Sequence, residues 1–82
     1  MLEHKLIAKV KIKTHAKETY QIALVETATD YVIAHYYHGK HDSWGNGDYM
    51  PKELCSPAGA LTNFASVIAS EAKSPFTASI NF

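Results

Sequence analysis

The sequence of 82 residues predicts a single α+β domain over residues 1–82. Its expected form is a mostly antiparallel, four- to five-stranded sheet with one helix packed on one face, in the order ββββαβ. Three observations lead there. Several segments alternate apolar and polar residues with period two, the pattern of strands with one wet face. One segment after Ser56-Pro57 repeats apolar residues at helical spacing. The chain is also short. A domain of this size buries only about 60% of the surface its unfolded chain exposes, so a deep, closed cofactor pocket is not expected. A Rossmann fold or TIM barrel does not fit the length.

Lys5 to Thr14 opens the pattern. Leu6, Ala8, Val10 and Ile12 are expected on one side and Lys9, Lys11 and Lys13 on the other, with Ile7 breaking the alternation. His15-Ala16-Lys17 reads as a short turn. Thr19 to Glu26 resumes alternation with Tyr20, Ile22 and Leu24, so the two runs form an antiparallel hairpin. Thr27 to Asp30 is a second turn. Tyr31 to Tyr37 is apolar or aromatic on both faces, as suits an internal strand. Val32, Ala34 and Tyr36 share one face, and Tyr31, Ile33, His35 and Tyr37 the other. Which set is buried stays open at this stage.

Gly39 to Asp48 is a loop by composition, with three Gly, two Asp, one Asn and one Ser. Tyr49 and Met50 are expected to return as a short strand beside Tyr31 to Tyr37. Ser56 suits an N-cap and Pro57 the first helical position, where no N–H is needed. Leu61, Phe64, Ala65, Ile68 and Ala72 form the predicted buried stripe. Thr62, Asn63, Ser66, Ser70, Glu71 and Lys73 fall on the outer side. Ser74-Pro75 ends the helix, and Phe76 to Phe82 alternates as a last strand.

The charge balance narrows the partners. Eight Lys offset eight Asp plus Glu, and there is no Arg. Without a basic excess, or the guanidinium fork that clamps phosphate and reads guanine, nucleic acid is not the expected partner. Zero net charge leaves little repulsion between copies, which makes homodimerisation an alternative. Cys55 is the sole cysteine, so no intrachain disulfide forms. A free thiol, no signal-peptide pattern and no apolar run near the ~20 residues of a membrane span together point to a cytoplasmic protein without membrane contact.

One helix covers only part of such a sheet, so the other face must be polar or must meet another molecule. The aromatic residues of the third strand, Tyr36 and Tyr37, and the loop residues His38, His41 and Trp44 are the candidate contact residues, with Tyr49 following. Exposed apolar patches on small domains often mark an interface, and Trp is enriched at binding hot spots. Lys9, Lys11 and Lys13 form a basic stripe. It reads either as a solvated strand face or as a contact for an acidic partner. His35, His38, His41 and Asp42 are ligand types for zinc or nickel, but strand alternation turns His35 and His38 to opposite faces. No metal or cofactor is expected; a metal-binding domain is kept as an alternative, since His38, His41 and Asp42 can meet around the loop. A His-dependent nuclease is the enzymatic alternative, with His38 or His41 as general base, Asp42 or Asp48 orienting it, and Lys40 and Lys52 to stabilise a phosphorane. No P-loop, nucleophile elbow or H-E-x-x-H supports it, and the expectation is a protein without enzymatic activity.

Within Tyr31 to Met50, the residues Ser43, Trp44, Gly45, Gly47 and Tyr49 form Ser-Trp-Gly-x-Gly-x-Tyr. This segment resembles small phage and mobile-element proteins with a strand, a polar turn and that motif before a helix. The match covers about a quarter of the chain, and Pro51 and Pro57 bracket a segment that departs from it. The resemblance implies a phage-encoded accessory protein in the host cytoplasm. By analogy of class it implies an inhibitor of a host defence complex, of the anti-CRISPR kind, acting by steric occlusion of a protein partner.

Overall fold

The structure, a computed structural model, describes residues 4–37 and 48–82, with the backbone but not the side chains of Tyr36 and Tyr37. Among the described residues the elements run β1 (His4–Thr14), β2 (Thr19–Thr27), β3 (Asp30–Tyr37), β4 (Asp48–Pro51), α1 (Pro57–Ala72) and β5 (Thr77–Asn81). The strands form one antiparallel sheet in the order β4-β3-β2-β1-β5. This is the expected α+β, ββββαβ architecture, with β3 internal and Tyr49 and Met50 returning on β4.

The turns follow from local chemistry. Thr14 accepts from the Lys17 N–H at 3.0 Å and donates its own N–H to Glu18 at 2.9 Å, closing a three-residue loop. Lys17 completes it with φ of 65°, the left-handed position such loops require. Between β2 and β3, Thr27 Oγ1 accepts from the Asp30 N–H at 2.9 Å and the Thr29 N–H at 3.3 Å. A threonine hydroxyl thus organises the tight turn.

Ser56 caps α1 with extended backbone, its Oγ accepting from the Gly59 N–H at 3.1 Å, and Pro57 opens the helix. The helix lies across β2, β3 and β5. Its Ala60, Phe64 and Ile68 join Val10, Ile12, Ile22, Leu24, Tyr31 and Ile33 in one core. Cys55 is half-buried and packs against that core at the helix start.

Two expectations about faces need correction. Leu6 pairs with Val25 while Ala8 pairs with Leu24, so Ile7 is an extra residue in β1. A bulge of this kind resets the alternation. Leu6 therefore shares Val25's face, away from the helix, and does not join Ala8, Val10 and Ile12. The helix is also turned relative to the predicted stripe. Phe64 and Ile68 are buried as expected, but Ala60 joins them while Leu61, Ala65 and Ala72 stay exposed. Glu71, assigned to the outer side, turns inward and accepts from the Tyr20 hydroxyl at 2.5 Å. That bond and the close approach of Ala60 set the helix's rotation.

The open question about β3 resolves symmetrically. Tyr31 and Ile33 are buried in the helix-side core, and Val32 and Ala34 are buried on the far face. None of the described helices is long and apolar enough to cross a membrane.

Candidate functional site

The expected contact residues divide between described and undescribed regions. His38, His41 and Trp44 lie outside the described residues, as do the side chains of Tyr36 and Tyr37. The register places Tyr36 opposite Gln21 and Tyr37 opposite Tyr20. Tyr49 pairs with Val32, which puts it on the far face, and it is 71% exposed. Lys9, Lys11 and Lys13 pair with Ala23, Gln21 and Thr19 on that same face, and all three are exposed.

The basic stripe is continuous across two strands' worth of uncharged neighbours. Lys11 and Lys13 stand opposite Asn81 and Ser79 of β5. Among the described residues no carboxylate forms an ion pair with Lys9, Lys11 or Lys13. The only described ion pair joins Lys52 Nζ to Glu26 at 2.6 Å, on the helix side near the opposite edge. That hydrogen bond, then the Lys52 charge, holds the Glu26 carboxyl below its ordinary range, with a smaller contribution from Lys5. Lys52 also stands 5.4 Å from the Tyr31 ring centre, a cation–π distance. A shallow polar recess lies there, lined by His4, Lys5, Glu26 and Lys52 among others. Its carboxylate already occupies its nearest cation, so it is a closed electrostatic pair.

The larger feature was not anticipated. Along the flank of α1 facing β1 and β5 runs a groove of 610 Å³. Leu61, Phe64, Ala65, Ile68, Ala69 and Ala72 form its helix wall, and Ala8, Ile80 and Phe82 its sheet wall. Every one of these side chains is hydrocarbon. Leu61 is 48% and Phe82 95% exposed at its rim. The signal for it was present in the sequence as an apolar helix arc broader than one core contact requires. Ala60 and Val67 extend the arc beyond the predicted stripe, so one edge enters the core and the other remains outside.

An open hydrocarbon groove attracts apolar side chains by removing their surface from water. It does not enclose a small molecule, as typical cofactor pockets do. Among the described residues, no three His, Cys, Asp or Glu groups stand together as a metal site. The fold and this groove define a small α+β domain with one uncovered apolar flank. Comparisons of the chain with protein-family models, curated proteins and solved structures find no match.

Proposed function

We propose that this chain is a non-enzymatic protein-binding module whose contact surface includes the open flank of α1. The observation that carries the reading is the all-hydrocarbon groove bordered by half-exposed Leu61 and exposed Phe82. A contiguous apolar groove on a small domain is the kind of surface on which protein partners dock. The lysine stripe and Tyr49 on the other face favour a partner with acidic character. Binding over such surfaces acts by occlusion and needs no reacting group.

The narrower form of the proposal is an inhibitor of a bacterial defence complex in the host cytoplasm. Its support is the Ser43 to Tyr49 resemblance to phage proteins. The expected outcome is that expressing the chain raises plasmid transformation in a strain whose CRISPR system destroys that plasmid. Trp44→Ala or Ala65→Glu should lower that effect while circular dichroism shows the fold intact. An unchanged transformation frequency with the unaltered chain removes the inhibitor reading. The wider binding reading falls if purified wild-type and Ala65→Glu proteins retain the same set of bound proteins at the same affinities.

A further inference from the structure

A second surface lies on the far face of the sheet, opposite α1. Lys9, Lys11 and Lys13 stand there on one strand and are exposed. Side chains on one face of a strand recur every two residues, about 6.6–6.8 Å apart, so three ammonium groups form a row along β1. Opposite charges set across from one another stabilise a sheet. Here the facing residues are Ala23, Gln21 and Thr19 on β2, with Asn81 and Ser79 on β5, and none is charged. The described carboxylates lie elsewhere. Glu26 is bonded to Lys52 and Glu71 to Tyr20, both on the helix side. Asp30, Asp48 and Glu53 lie in or beside β3 and β4, and Glu18 in the turn after β1. Lysines also guard free strand edges against unwanted pairing, but β1 is internal, between β2 and β5. Guarding an edge does not account for Lys11 and Lys13, which have β5 beside them.

We propose that this face receives an extended acidic segment of another protein, with carboxylates at alternate residues, laid along β1 over Lys9, Lys11 and Lys13. The inference rests on the reading of the chain as a protein-binding module and adds a second surface with the chemistry of what meets it. An extended segment repeats its own side chains at the spacing of the lysines, so three alternate carboxylates meet three ammonium groups in step. Asn81 and Ser79, beside Lys11 and Lys13, add neutral hydrogen-bond donors for the same oxygens. A nucleic-acid strand fits less well, because the chain has no net positive charge to attract a polyanion and no Arg to grip phosphate. A second copy also fits less well here, since a twofold pairing of this face sets lysines against lysines. Association through the α1 flank, on the other side of the sheet, leaves the lysine face open.

The test is nuclear magnetic resonance of the isotope-labelled full chain, titrated with a capped peptide of alternating glutamate and threonine. The expected result is saturable shifts at Lys9, Lys11 and Lys13 and at Ala23 and Asn81 beside them. They should vanish when salt rises from about 0.01 M to about 1 M and the Debye length falls from about 30 to about 3 Å. Lys11→Gln should weaken binding about two- to fivefold. Lys5→Gln removes the same charge from the helix side, where Lys5 faces Glu26, and should have the smaller effect. Equal losses in the two variants would assign the binding to net charge and overturn the inference. A peptide of the same composition with its glutamates in one block should bind more weakly, and equal binding overturns the alternate spacing and the inference with it. An oligothymidylate that shifts the same residues at lower concentration than the peptide identifies nucleic acid as the occupant and also overturns it. So does the absence of saturable shifts up to about 5 mM peptide. None of these failures touches the α1 flank, whose own test, Ala65→Glu, lies on the other side of the sheet.

Discussion

Lys17 takes the left-handed conformation with φ of 65°. A side chain there costs about 1–2 kcal/mol relative to glycine, because its Cβ crowds the following carbonyl. Lys17→Gly is expected to stabilise the fold by about 0.5–1 kcal/mol, after glycine's larger unfolded-state entropy is subtracted. Urea unfolding midpoints of the two proteins check this; a destabilised variant would contradict the loop geometry. Glu26 offers a pH test. Its folded-state carboxyl is held below the ordinary glutamate value by the Lys52 hydrogen bond and charge. The unfolded chain therefore takes up this proton at higher pH than the folded chain. The stabilisation is present above the ordinary glutamate range and is lost as pH falls through the lowered folded value. Glu26→Gln should be less stable than wild type near about pH 7, and the difference should shrink toward about pH 3. A difference that stays constant across that range would show that the carboxylate's charge is not what matters.

Strands β1, β2 and β5 were legible from alternation, β3 from its two-sided apolar run, β4 from the loop before it, and the helix from its cap, its apolar spacing and the closing proline. What escaped was rotation. Alternation failed at Ile7, yet nothing local distinguishes a residue that merely interrupts a pattern from one that is inserted into it. The pairings of Leu6 and Ala8 make that distinction, and they depend on β2. Likewise the arc from Ala60 to Ala72 permitted several buried edges, and the Tyr20–Glu71 hydrogen bond joins residues distant in the chain to select one. The two rotations give opposite mutational patterns. Phe64 is 8% exposed and in the core, so Phe64→Ala should cost about 3–5 kcal/mol. Leu61, central to the predicted stripe, is 48% exposed, and Leu61→Ala should cost less than about 1 kcal/mol. Chemical denaturation separates them. Comparable losses would mean that the helix buries its Leu61 edge and that the groove is filled.

At the scale of the whole molecule, the described residues leave hydrocarbon open along the flank of α1. The expected contact surface, Tyr36, Tyr37 and the loop after them, lies outside the side chains the structure describes. Among the described residues, Tyr31 of that strand is buried and open hydrocarbon lies beside α1. Composition shows how much apolar surface there is, and only the packing angle of the helix shows which part stays outside. The chain also has a formal net charge of zero and a pI near 7.0. An open groove without net repulsion should make self-association strongest near neutrality. Light scattering of concentrated protein is therefore expected to peak near pH 7 and fall on either side. Ala65→Glu and Ser66→Glu introduce the same charge at adjacent exposed helix positions, but only Ala65 lines the groove. Ala65→Glu should suppress the scattering at its own isoelectric pH, while Ser66→Glu should only shift the peak to lower pH. Equal suppression by both would assign the association to net charge and not to the groove.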